Sequence, residues 1–195
     1  MSKLIGIATL LITICVGYQS CNSGQNKNIL DTTLLSRESG TTVSLGKANT
    51  KYYAVIFFSP TCPVCRNVSG EIISLRTEFE DSILSVFVVL PPYCEKDTEL
   101  LEIALNNSSK KIDTYIDVDL TLARKLQAKA TPQIFLIDNT GQIVYSGQLN
   151  DYYRSLGNHG VEITRHYAAE ALLNHMNSKV VTPAQTNPIG CLIQY

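Results

Sequence analysis

The segment that most constrains this chain is Tyr52-Tyr53-Ala54-Val55-Ile56-Phe57-Phe58-Ser59-Pro60-Thr61-Cys62-Pro63-Val64-Cys65. A run of strand-forming residues, apolar almost throughout, reads as a strand buried on both faces. It ends in a Cys-Pro-Val-Cys turn, and Val68, Ile72, Ile73, Leu75 and Phe79 then recur with helical spacing. Two thiols separated by two residues at a strand-to-helix turn can close a small reversible disulfide. Cys62, the first of them, is expected at the helix N-terminus, where unpaired N–H groups and the helix dipole favour a thiolate. The thiolate is the reactive form, so this placement marks Cys62 as a nucleophile and Cys65 as its partner.

The chain has 195 residues, 45% hydrophobic and 17% charged, enough for one globular domain with a real core. A net charge of −1 gives no electrostatic reason to expect nucleic acid as a partner. Met1-Ser2-Lys3 is followed by a largely apolar stretch from Leu4 to Val16. That stretch is short for a membrane span and has the size of a secretory signal, assigned to residues 1–20. Ser20-Cys21 at its end resembles the lipobox of bacterial lipoproteins, although Tyr18 stands where that motif prefers Leu. The resemblance implies lipidation of Cys21, a membrane anchor, and a periplasm-facing place in a bacterial cell envelope. Residues 21–40, rich in Asn, Ser, Thr and Gly, are expected to form a flexible tether.

Elements expected along the chain are an edge strand at Thr41–Leu45, a central strand at Tyr52–Phe58 and a helix at Arg66–Glu80 weakened by Gly70. A strand at Ser82–Leu90, stopped by Pro91-Pro92, and a helix at Glu95–Leu105 come next. The rest comprises a strand at Thr114–Val118, a helix at Leu120–Gln127 and strands at Gln133–Asp138 and Gln142–Ser146 around Asn139-Thr140-Gly141. A helix at Glu162–Met176 completes the set. This order describes an α/β domain over residues 41–178 with a central mixed sheet flanked by helices. Residues 179–195 are left as a tail packing back on it.

The Cys62-Pro63-Val64-Cys65 turn after the first core strand, with Ala130-Thr131-Pro132-Gln133-Ile134-Phe135-Leu136-Ile137-Asp138 downstream, resembles the thioredoxin fold, and within it the redoxin branch that includes TlpA/ResA-like thiol-disulfide oxidoreductases. The resemblance implies a cis proline at Pro132 beside the disulfide and a Thr131 backbone that pairs with an extended segment of a protein substrate. Pro63 and Val64 would share in substrate binding. Cys62 would attack a partner disulfide and Cys65 would resolve the mixed disulfide, with a protein thiol or disulfide and a second redox partner as reactants. No cofactor beyond the Cys62–Cys65 disulfide is implied. The tail Thr182–Ile193, with Gly190-Cys191-Leu192-Ile193, resembles a less characterised redoxin group that carries a Gly-Cys-x-Ile ending.

The chain departs from thioredoxin in two places. Ile56 stands where thioredoxins keep a buried Asp that accepts the proton of the second thiol, so Cys65 would need water or another acid such as Glu71. Pro60-Thr61 replaces the Trp common before the motif. Both departures point to a slower or partner-specific enzyme.

Cys94 and Cys191 leave three arrangements open. They could form a structural bridge, a second redox pair exchanging with Cys62–Cys65, or two free thiols. A bridge closing a loop of roughly a hundred residues would stabilise the fold by about 4–5 kcal/mol in the chain-entropy model. Two rival chemistries remain. Peroxiredoxins carry Pro-x-x-x-Thr-x-x-Cys, whereas Pro60-Thr61 abuts Cys62. Sco-like copper proteins use two Cys and a distant His, and His159, His166 and His175 are the candidates. Zinc lacks a second Cys-x-x-Cys or a Cys-x-x-His to complete four ligands, so no metal ligands are assigned.

Overall fold

The computed structural model describes residues 28–105 and 108–195. The signal segment 1–20, Cys21 and the first part of the expected tether lie outside the described residues. Among the described residues no helix is long and apolar enough to cross a membrane.

The strands are β1 (Thr33–Ser36), β2 (Thr42–Ser44), β3 (Tyr52–Phe57), β4 (Leu84–Leu90), β5 (Thr114–Ile116), β6 (Ala130–Thr131), β7 (Gln133–Asp138), β8 (Ile143–Gly147), β9 (Tyr153–Ser155), β10 (Asn158–His159) and β11 (Cys191–Leu192). The helices are α1 (Pro63–Asn67), α2 (Ser69–Glu78), α3 (Thr98–Leu105), α4 (Thr121–Leu126) and α5 (Tyr167–Met176). Seven strands form one sheet in the order β2-β1-β5-β4-β3-β7-β8. β3 runs parallel to β4 and antiparallel to β7, and β4 runs parallel to β5. The expected α/β architecture with a central mixed sheet is the one the chain adopts.

All six residues of β3 are buried, and the pleat sends them alternately to two cores. Tyr52, Ala54 and Ile56 join Val86, Val88, Ile134 and Leu136 against α1, α2, α3 and α5. Tyr53, Val55 and Phe57 join Phe87, Val89, Phe135 and Ile137 against α4 and the N-terminal segment. A strand apolar on both faces can be satisfied only by a layer on each side, so the helices divide between the two faces.

Three boundaries differ from expectation. Residues 28–40 are not a tether, because β1 inserts between β2 and β5 and buries Leu34, while Leu30 is covered against the same core. Apolar pairs at Ile29-Leu30 and Leu34-Leu35 anchor a segment whose polar composition had read as linker. The helix after the Cys turn begins at Pro63, a residue suited to a first helical turn, and breaks at Val68 rather than Gly70. The Val68 N–H bonds back to the Arg66 and Val64 carbonyls, closing α1 before α2 begins. The remaining helices and strands fall within a few residues of their expected places, with β6, β9, β10 and β11 as additions. Asp117 and Asp119 serve as caps: Asp117 accepts from the Leu122 and Ala123 N–H groups at 3.1 and 2.8 Å, and Asp119 from Thr121 at 3.2 Å.

Glu71 on α2 is buried and faces His166, the N-cap of α5, with Nδ1 to Oε1 at 2.8 Å; Asn150 donates to its other oxygen at 3.4 Å. The carboxylate hydrogen bond, and secondarily its charge, raises the His166 imidazole above its ordinary 6.5. A raised folded value means the pair stabilises fully below the unfolded value and loses that contribution as pH rises through the folded one. NMR titration should therefore place the His166 midpoint above 6.5 in the native chain and return it toward 6.5 in Glu71→Gln. The thermal stability advantage over that variant should be largest at acidic pH; the same imidazole midpoint in both chains would show that the pair has no such effect.

Candidate active site

β3 and β4 are parallel, so their C-terminal ends lie side by side, and the Phe58 N–H still donates to the Val89 carbonyl at 2.9 Å. The chain leaves β3 through Ser59 and enters α1 at Cys62, its N-cap, while Cys65 lies one turn further in. Cys62 is 1% exposed and Cys65 fully covered. The next strand end delivers Cys94, whose Sγ lies 3.3 Å from the Ser59 hydroxyl, and the Ser59 N–H donates to the Cys65 sulfur at 3.4 Å. Ser59 thus couples two cysteines that are far apart in sequence, a role no pattern in the chain announced.

Thr131 and Pro132 approach from the other side, and their peptide bond is cis, as the resemblance implied. The Cys62 sulfur lies 3.3 Å from the Thr131 carbonyl, to which it donates only while protonated. Pro63, at the first helical position, is exposed; Val64 is 7% exposed and packs in the core with both cysteines of the turn. Val64, Pro132, Leu149, Tyr153 and Ile189 line a small recess.

Of the three arrangements open for Cys94 and Cys191, the structure shows the one without a bridge. All four described cysteines are free thiols. Cys191 is not joined to Cys94; its sulfur lies 2.8 Å from that of Cys62. The tail is drawn there by main-chain pairing that local patterns do not reveal. Residues 184–186 bond to Ser146 at the open edge of β8, where the Thr186 hydroxyl also accepts from the Gln148 N–H at 2.8 Å. β11 then pairs antiparallel with β6, Cys191 opposite Thr131 and Leu192 opposite Ala130. Gly190 makes the crossing possible: a Cβ there would lie 2.0 Å from the Thr131 carbonyl oxygen. A glycine directly before a tail cysteine was the one available signal.

The thiols are electrostatically unlike. Cys62 is lowered from an ordinary 9.0 to about 5, chiefly by the Cys65 thiol hydrogen-bonding to it; burial opposes, and Cys191 and nearby backbone N–H groups add to the lowering. Helix placement contributes, but the neighbouring thiol dominates. Burial first, then the hydrogen bond and charge at Cys62, drives Cys65 well above the ordinary range and Cys191 to about 11. Burial also raises Cys94. Cys62 is thus the thiol most ready to ionise, with the less acidic Cys65 and Cys191 thiols beside it as hydrogen-bond donors.

The fully buried Ile56 confirms that no carboxylate occupies the usual place of the proton acceptor. Glu71 cannot replace it, being engaged by His166 and Asn150. Nor do the histidines reach the sulfurs: His166 binds Glu71, His175 bonds the Tyr52 hydroxyl, and His159 stacks on Tyr152. Among the described residues no group of three His, Cys, Asp or Glu side chains is arranged to hold a metal ion.

Two measurements follow. Thiolate ultraviolet absorbance of the reduced chain should rise with a midpoint near 5 that Cys62→Ser abolishes. Because this folded value is depressed, the reduced protein should gain stability as pH rises from 5 towards 9 and lose it on acidification through 5. A midpoint near 9 would refute the electrostatic description. Separately, Gly190→Ala should lift β11 off β6 and raise amide exchange at Ile193 by at least about tenfold, a little over 1 kcal/mol of local opening; unchanged exchange would mean the strand tolerates the methyl group.

A model of the AhpC/TSA family matches residues 26–146 of the chain. Among solved structures, an uncharacterized conserved protein from Geobacillus kaustophilus superposes with TM-score 0.73 at 21% identity, over 87% of this chain and 90% of that one. A hypothetical protein from Sinorhizobium meliloti gives TM-score 0.72 at 22% identity, over 86% and 92%. A putative thiol:disulfide interchange protein DsbE from Chlorobium tepidum gives 0.53 at 18%, over 77% and 94%. At these identities the shared property is the thioredoxin-like fold. No curated protein is significantly similar in sequence. With the family model covering more than half its length, the chain belongs to the AhpC/TSA family of redoxin oxidoreductases.

Proposed function

We propose that the protein is an envelope thiol-disulfide oxidoreductase that exchanges disulfides with a protein partner through Cys62 and Cys65. The observation that carries this reading is the placement of the two sulfurs: Cys62 at the N-cap of α1, 3.3 Å from the Thr131 carbonyl, and the fully buried Cys65 one turn further on. Beside them the Thr131 main chain accepts an extended strand, the way a protein substrate would be held.

In the forward direction Cys62 Sγ attacks one sulfur of the partner disulfide, and the other sulfur leaves as a thiolate. Cys65 then loses its proton, to that thiolate or to water, and attacks Cys62 Sγ. The Cys62–Cys65 disulfide forms, the mixed disulfide breaks, and two electrons have passed to the partner. The reverse sequence oxidises a dithiol. With no carboxylate beside Cys65 and its thiol raised by burial, the resolving step is the slow one at neutral pH, consistent with a partner-specific role. Envelope placement is supported by the basic, then apolar, start of the sequence and by Ser20-Cys21.

Membership of the AhpC/TSA family favours one second reading, peroxide reduction by Cys62. Its test is consumption of hydrogen peroxide with a thiol reductant, which should be lost in Cys62→Ser if that reading is right. The Pro60-Thr61-Cys62 spacing argues against it.

The exchange reading is tested by trapping. A Cys65→Ser, Cys191→Ser chain incubated with envelope extract should accumulate a dithiothreitol-sensitive adduct on Cys62 that is missing when Cys62 is also Ser. Cys191 is replaced because its sulfur, 2.8 Å away, would intercept the adduct. If the folded bait captures nothing, the proposed exchange does not occur.

A further inference from the structure

The strand edge at Thr131 is already occupied. Residues 190–193 lie extended along β6, with the Ile193 N–H donating to the Lys129 carbonyl at 3.0 Å and the Thr131 hydroxyl donating to the Cys191 carbonyl at 3.4 Å. Ile189 packs against the core that holds Cys62, and Ile193, 6% exposed, enters the opposite core. The Tyr195 hydroxyl donates to the Ala123 and Ala128 carbonyls. These anchors fix the register that sets the Cys191 sulfur on Cys62. Leu192 remains 77% exposed, so the segment is a thin cover over the site rather than an interior strand.

We infer that Cys191 is the in-chain exchange partner of Cys62, its tail seated where a partner's extended segment would bind, and that a Cys62–Cys191 disulfide is a redox state of this protein. This rests on Cys62 being the exchanging nucleophile. From the Cys62–Cys65 disulfide, the Cys191 thiolate attacks Cys62 Sγ. The bond to Cys65 breaks as the bond to Cys191 forms, and Cys65 recovers the proton that Cys191 gave up. No electrons are gained or lost. From the reduced chain, an external disulfide is the oxidant: Cys62 takes one of its sulfurs and releases the other as a thiol, and Cys191 then displaces the first. One protein disulfide forms and two small thiols leave.

The arrangement makes the site self-covering. Cys62 is 1% exposed, so a partner reaches it by displacing residues 187–195. Upstream, residues 184–186 stay bonded to Ser146, which gives the displaced piece a fixed root. Oxidation to Cys62–Cys191 would lock the cover in place covalently, and reduction would release it.

The test uses the full chain and glutathione disulfide, read by intact mass and by non-reduced peptide mapping. In Cys65→Ser, the glutathione adduct on Cys62 should give way to a Cys62–Cys191 linkage. In Cys65→Ser, Cys191→Ser it should persist at least about tenfold longer, since a positioned intramolecular thiol outcompetes a free one. Cys65→Ala serves as a second background should the buried serine disturb folding. Equal persistence of the adduct with and without Cys191, or closure onto Cys94 instead, would overturn the inference and leave the exchange reading standing. No adduct on Cys62 in any variant would overturn both.

Discussion

Burial of β3 on both faces is the constraint from which the site follows. Six consecutive covered residues cannot be satisfied by one layer, so helices and the N-terminal segment pack on opposite sides of the sheet. With the middle of the strand closed to solvent, chemistry can emerge only at its ends. At the C-terminal end the chain turns through Ser59 into α1, and the parallel neighbour β4 brings Cys94 to the same edge. β6 and the residue after it add Thr131 and Pro132, just before β7, from the antiparallel side. Four sulfurs gather at one edge because β3 and β4 end there and the tail returns to it.

The electrostatics of that edge depend on thiols rather than on charged side chains. A carboxylate in the place of Ile56 would speed proton removal from Cys65, but as a charge buried in an apolar core it would carry a desolvation cost. Here the core keeps Ile56, and the Cys62 thiolate is stabilised by thiol and backbone donors. In the proposed exchange this arrangement favours the first step over the second, and the Cys191 sulfur, 2.8 Å from that of Cys62, is the further thiol within reach.

Much of this was legible from local pattern. The apolar run into Cys-Pro-Val-Cys specified a buried strand, a turn and a helix, because periodicity and proline placement are properties of neighbouring residues. Thr131-Pro132 and the flanking β7 were readable through resemblance. The segment 28–40 reads as linker because its composition outweighs two short apolar pairs, and a four-residue strand has little periodicity to display. The pairing of Cys191 was unreadable for a different reason: four cysteines allow several partnerships, and the choice among them is made by main-chain contacts of the tail with Ser146 and β6, distant in the chain.

The amino-acid order alone determined the strand-turn-helix carrying Cys62 and Cys65, the mixed α/β architecture and the absence of a carboxylate at position 56, since each is written in adjacent or periodically spaced residues. Tertiary structure decided which sulfur faces which, where Glu71 finds its partner, and that the tail lies on β6. The course of the tail rests on sheet-edge hydrogen bonds and on the missing Cβ of Gly190, which lets two main chains approach where any side chain would hold them apart. Backbone pairing of this kind is nearly independent of side-chain identity, so it leaves only a faint trace in the sequence that forms it.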